Sequence, residues 1–204
     1  MLSAPEEGFK LLTEGKIQEF NSWRMMGKNL IAKLDFSDRD FSGKDMSGAF
    51  LNGVIADRAS FANANLTRTN LVQASLNGTD FQSANLSETL LMYAEMKEAN
   101  LTNTNLIKTN LMWANLQDAD LTGSKMLQTI FVEANLQNAK IAGIDKAGAY
   151  IKYAKLQGTS WLSRLPDRII KKIFSPNACI KYSIHTLRTG HGLRHDVMCF
   201  SSSD

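Results

Sequence analysis

Residues 59–71 read Ala59-Ser60-Phe61-Ala62-Asn63-Ala64-Asn65-Leu66-Thr67-Arg68-Thr69-Asn70-Leu71. A large apolar residue stands at every fifth position (Phe61, Leu66, Leu71), and a small one two places before it (Ala59, Ala64, Thr69). Neither the 3.6-residue turn of a helix nor the two-residue alternation of a strand returns every fifth side chain to one face. A backbone that turns a corner in each unit does. The large and small residues then face inward, and the remaining three face out.

Working outward, the same phase runs from Phe36 to Leu156, broken only at Ala56 and Lys146. Both breaks come with compensation. Val54 fills the small slot before Ala56, and Ile144 fills the one before Lys146, so volume is exchanged between the two inward positions as close packing demands. A longer period is superimposed. Phe41, Phe61 and Phe81 recur every 20 residues, as do Thr69, Thr89, Thr109 and Thr129 in the small slot. Such recurrences predict vertical stacks of like side chains on a coil of four five-residue sides. About 25 units make about six coils, roughly 30 Å of height at the spacing of neighbouring strands.

The A-(N/D)-L-x-x pattern of residues 34–158, as in Ala64-Asn65-Leu66 and Ala114-Asn115-Leu116, resembles the pentapeptide-repeat family. The resemblance implies an all-β solenoid, a right-handed quadrilateral β-helix. Three segments are expected: an N-terminal helical cap over 1–33, the β-helix over 34–158, and an amphipathic helix with a tail over 159–204.

The ends differ in kind from the array, and all three prolines (Pro5, Pro166, Pro176) lie in them. Over residues 5–26, Phe9, Leu12, Ile17, Phe20 and Trp23 predict one or two short helices with a break near Gly15, and a cap is what an exposed solenoid end requires. This lead, Leu11-Leu12 to Gly15 and then Phe20-Asn21-Ser22-Trp23-Arg24, resembles that of bacterial, especially cyanobacterial, members of the family. After the array, Trp161, Leu162, Leu165, Ile169 and Ile173 recur at helical spacing, with Arg164, Arg168, Lys171 and Lys172 opposite. A C-terminal cap or dimer helix is expected there. A basic amphipathic helix on anionic membrane is the alternative, and with it an effector or membrane-peripheral role. Cys179, His185, His191, His195 and Cys199 raise a metal site, but their spacing lacks a C-x2-C knuckle, and no cofactor is expected. Met1 to Glu7 has neither a basic start nor an apolar run, which argues against a Sec signal. No apolar run approaches the length that spans a bilayer. Cytoplasmic residence is expected, with export by a signal-peptide-independent route as the alternative.

No catalytic constellation is legible. Every histidine lies in the tail, and no phosphate loop, G-x-S-x-G or C-x-x-C occurs. The protein is therefore expected not to be an enzyme. The outward Asn65, Asn85, Asn105 and Asp80, Asn100, Asp120 read as amide and corner hydrogen bonding rather than a ligand site. The family's best-known activity is gyrase inhibition by mimicry of duplex DNA, which needs an acidic rod. Residues 34–158 hold 13 acids and 11 bases, with Arg58, Arg68, Lys97 and Lys108 interrupting the acids. That balance argues against mimicry, and the array is not basic enough to bind nucleic acid.

One side stands apart. On the units centred on Leu71, Leu91, Leu111, Phe131 and Ile151, the outward positions include Val72, Leu90, Met92, Tyr93, Met112, Trp113, Ile130, Val132, Tyr150 and Tyr153. Ile107 and Leu127 extend the strip around a corner. A contiguous apolar strip calls for something to cover it. The candidates are the chain's own C-terminal segment, a second copy of the chain, or a foreign protein anchored by Trp113 and Tyr93. The leading expectation is a non-catalytic scaffold that binds protein through this face.

Overall fold

The computed structural model describes residues 3–30, 32–142 and 148–159, with the backbone of 182–183 and 197–198. The chain begins with three short helices: α1 (Ala4–Thr13), α2 (Ile17–Arg24) and α3 (Gly27–Leu30). Ser3 starts α1 through a capping box. Its hydroxyl accepts the Glu6 N–H at 3.4 Å, and the Glu6 carboxylate accepts the Ser3 N–H at 3.2 Å. Pro5 suits the first turn, where its missing donor costs nothing. The break falls at Gly15, whose φ of +73° an L side chain rarely adopts.

Over residues 35–142 and 148–155 the chain coils into a four-sided solenoid. Parallel bridges join each residue before a large inward one to its equivalent 20 positions on, as in Asn65 to Asn85 to Asn105 and Asn70 to Leu90 to Asn110. The β structure is a set of isolated bridges, one to a side, rather than continuous strands. Each side is too short for more, because the next corner follows at once. The corner is a β-turn. The N–H of the small residue donates to the carbonyl of the large residue three before it, as Ala64 does to Phe61 at 3.0 Å. The residue before the small one has φ near +60°, as at Asn63 (60°), Tyr93 (59°) and Trp113 (59°). That is the backbone signature of a type II turn, where glycine is usual.

The core is the inward column pair that the five-residue period requires. Leu66, Leu86, Leu106 and their counterparts are fully buried, with Ala64 and Ala84 beside them. Burying each leucine is worth about 1.5–3 kcal/mol. Phe41, Phe61 and Phe81 stack with ring centroids 5.0 and 5.3 Å apart. Among the described residues, every buried threonine but Thr159 is satisfied by a bond that crosses coils; Thr159 donates to the Leu156 carbonyl of its own turn at 2.8 Å. Thr89 Oγ1 donates to the Leu66 carbonyl at 2.6 Å, and Thr109 to Leu86 and Thr129 to Leu106 in the same way. At the first break, Val54 and Ala56 are both buried, as volume exchange requires. The second, at Ile144 and Lys146, lies outside the described residues. In the first coil the small slot holds Arg39, which is exposed and lays its guanidinium over the Phe9 ring at 4.9 Å.

The helices lie against that first coil. Phe9 meets Phe41 edge-on at 5.1 Å. A Cβ on Gly8 would sit 3.3 Å from the rings of Phe20 and Phe36, tighter than ordinary contact, so glycine lets α1 pack here without displacing either ring. Asn21 bonds both ways to the open coil edge. Its Nδ2 donates to the Gly48 carbonyl at 2.9 Å, and its Oδ1 accepts the Phe50 N–H at 2.8 Å. Arg24 is buried, and its guanidinium donates to the carbonyls of Asn29, Ala32 and Asn52. Burial pulls its pKa down from the ordinary arginine value. Beyond the array, β1 (Tyr182–Ser183) pairs antiparallel with β2 (Val197–Met198), Tyr182 opposite Met198.

Candidate protein-interaction face

The bridges fix which outward side chains share a face. Phe50, Asn70, Leu90, Asn110, Ile130 and Tyr150 form one column of successive partners. The two residues after each inward centre give two more columns: Val72, Met92, Met112 and Val132 in one, Tyr93, Trp113 and Tyr153 in the other. All ten side chains singled out from the sequence therefore lie in three adjacent columns of one side. Val72, Met92, Met112, Ile130 and Val132 are half-buried. Leu90, Tyr93, Trp113, Tyr150 and Tyr153 are exposed, Tyr93 by 50% and Tyr150 by 54%.

Tyr93 and Trp113 stack, with centroids 4.7 Å apart and planes 10° from parallel. Lys152 lies over the Tyr153 ring, its Nζ 4.8 Å from the centroid. Among the outward positions of this side, only Glu133 and Lys152 carry charge. The structure adds Phe50, 39% exposed at the foot of the strip. The five-residue phase places Phe50 before Leu51, one coil below Val72, and its exposure shows that α2 leaves this ring uncovered. Met25, Met26 and Leu30, in or just after α2 and α3, are also exposed. Of the two corner residues, Leu127 is exposed and Ile107 half-buried.

The other sides are polar and internally bonded. Asn65 Oδ1 accepts the Thr67 N–H at 3.2 Å, and Asn100 Nδ2 donates to Asp80 Oδ1 at 2.8 Å, so these columns hold the corners and the coil spacing. Three acids there have basic neighbours one coil away: Asp38 with Arg58, Glu88 with Arg68, Asp120 with Lys140. A shallow depression lined by Arg58, Asn77, Gly78, Glu95, Lys97 and Glu98 mixes both charges and is open to solvent.

Among the described residues no group of three His, Cys, Asp or Glu is placed to hold a metal. No helix there is long and apolar enough to cross a membrane. Cys179, His185, His191, His195 and Cys199, and the basic amphipathic stretch with Arg164, Arg168, Ile169, Lys171, Lys172 and Ile173, lie outside the described residues.

The model of the pentapeptide repeats matches residues 35–73, 57–92 and 94–131. No curated protein sequence matches the chain. Three solved structures illustrate the likeness. A trypsin-treated variant of QnrB1, a plasmid-mediated fluoroquinolone resistance protein, aligns at 17% identity over 61% of this chain and 68% of its own, with a TM-score of 0.54. HetL, a pentapeptide repeat protein involved in heterocyst differentiation regulation from the cyanobacterium Nostoc sp. strain PCC 7120, aligns at 19% identity over 63% and 87%, with a TM-score of 0.44. A further pentapeptide repeat protein of Nostoc, alr5209, aligns at 29% identity over 57% and 85%, with a TM-score of 0.40. The repeat match and the four-sided coil together establish that this chain belongs to the pentapeptide repeat family, with its right-handed quadrilateral β-helix.

Proposed function

We propose that this protein is a non-catalytic scaffold that binds protein through the apolar side carrying Tyr93 and Trp113. The observation that carries the reading is the exposed Tyr93–Trp113 stack within a strip whose outward positions hold only two charges. Large, rigid aromatics on a fixed frame give much contact area at little entropic cost, which is how interface anchors work. About six coils form the frame, and the N-terminal helices serve as its cap, covering an edge that would otherwise recruit other chains. The balance of charge disfavours mimicry of duplex DNA, because acids such as Asp38 and Glu88 are neutralised by the coil next to them.

Affinity capture from native lysate tests the reading. The wild type is compared with Trp113→Asp plus Met92→Asp, and with Lys97→Asp plus Gln117→Asp on the neighbouring side. Loss of bound protein in the first variant alone supports the proposal. Equal capture by all three contradicts it.

A further inference from the structure

Resting on the reading that this side binds protein, we infer that its occupant is a second copy of the chain, packed face to face with the solenoid axes antiparallel. A two-fold axis lying in the interface brings this side onto itself in two ways. Parallel to the solenoid axis, it keeps each coil level and exchanges the outer columns. Lys152 then meets the partner's Lys152, and Ile130 lies opposite the partner's Glu133. Perpendicular to the solenoid axis, it reverses the levels and keeps the columns. Lys152 then meets the partner's Asn52, and Glu133 meets the partner's Gln73. Both charged groups gain neutral polar partners, and no like charges face each other.

The antiparallel register also matches shape. The six levels from Phe50 to Tyr150 pair off about the midpoint between Tyr93 and Trp113. Tyr93 comes opposite the partner's Trp113, Val72 opposite the partner's Val132, and Tyr153 opposite the partner's Gly53, where there is no side chain to obstruct it. A foreign protein would impose no such relation between the lower and upper coils. The area is adequate. Phe50, Leu90, Tyr93, Trp113, Tyr150 and Tyr153 are each between 39% and 54% exposed. Together they offer on the order of 600 Å², and the half-buried residues between them bring this toward the roughly 800 Å² that a stable interface takes from each partner.

Sedimentation equilibrium of the full chain at about 1–100 μM tests the inference. The wild type is expected to dimerise, and Trp113→Asp plus Met92→Asp to be monomeric with an unchanged circular dichroism spectrum. The register is tested by two double variants that alter the same positions. Val72→Glu plus Val132→Lys sets opposite charges face to face in the antiparallel dimer, whereas Val72→Glu plus Val132→Glu sets like charges. The second is expected to dissociate at least about tenfold more readily than the first. A wild type that stays monomeric at about 100 μM overturns the inference, and equal weakening of the two variants rejects the register. If the wild type is monomeric while lysate capture still depends on Trp113 and Met92, the inference fails and the reading of this side survives. A dimer indifferent to Trp113 and Met92, with lysate capture equally indifferent, defeats both.

Discussion

Tyr93 and Trp113, 20 residues apart in the chain, lie ring on ring at 4.7 Å on the outside of adjacent coils. Both sit at the corner position, with φ of 59°. Their backbones thus hold a conformation that costs a bulky residue about 1 kcal/mol. The stack returns part of that energy. A double-mutant cycle with Tyr93→Ala and Trp113→Ala, followed by urea denaturation, is expected to show a coupling of about 0.5–1.5 kcal/mol. A coupling near zero would mean that the rings are neighbours without mutual attraction.

The corner conformation gives a second expectation. Asn63 has φ of 60°, while Ala62 beside it does not have a positive φ. A β-branched side chain is poorly tolerated at positive φ. Asn63→Val should therefore cost about 1–2 kcal/mol more than Ala62→Val in denaturation midpoints. Equal costs would show that the turn adapts to its residues.

At the lower edge, Asn21 supplies the acceptor that a missing coil would have provided to the Phe50 N–H. The equivalent donors above, Asn70 and Leu90, reach the carbonyls of Ala49 and Thr69 at 3.0 Å. Asn21→Ala strips a donor and an acceptor at once and should cost about 1–3 kcal/mol. Exchange of the Phe50 amide hydrogen should quicken far more than that of Leu90. Asn21→Asp keeps the acceptor and should fall between the two.

Acid dependence follows from the aspartates that stand where units such as those of Leu66 and Leu86 have asparagine. The Ser37 N–H donates to Asp35 Oδ1 at 2.9 Å and is the main cause holding that carboxyl below its ordinary value. Hydrogen bonds from Ser42, hydroxyl first and then N–H, do the same for Asp40. A carboxyl with a depressed folded pKa contributes its full stabilisation above its unfolded value of about 3.9, and loses it as pH falls through the folded value. The melting temperature should be flat above about pH 5 and decline below about pH 4. Asp35→Asn plus Asp40→Asn should show a shallower decline, because an amide oxygen accepts the same bond without titrating. Identical declines would exclude these two groups as the cause.

The sequence exposes the core more fully than the surface, for physical reasons. Leu66, Leu86 and Leu106 must be large and apolar to fill the coil, so their spacing reveals the period, and Phe41, Phe61 and Phe81 reveal the stacking. The positive φ at the corner leaves no such trace, because Arg58, Gln73 and Trp113 occupy it as well as glycines. Nor does the sequence distinguish Arg24 and Asn21 from solvent-facing polar residues. Their roles depend on which carbonyls the coil edge leaves open, a relation between segments far apart in the chain. The apolar strip was legible because bridges at 20-residue spacing make sequence distance a spatial coordinate. Phe50 extends it only once α2 is seen to leave that ring uncovered.

The most direct measurement is site-specific photo-crosslinking in native cells, with a benzophenone amino acid replacing Trp113 in one chain and Asp118, on the neighbouring side, in another. The account predicts crosslinked protein adducts from position 113, to a second copy or another chain, and few or none from position 118. Absence of adducts at 113, or equal yields at the two positions, would contradict the claim that the side carrying Tyr93 and Trp113 is where this protein makes its contacts.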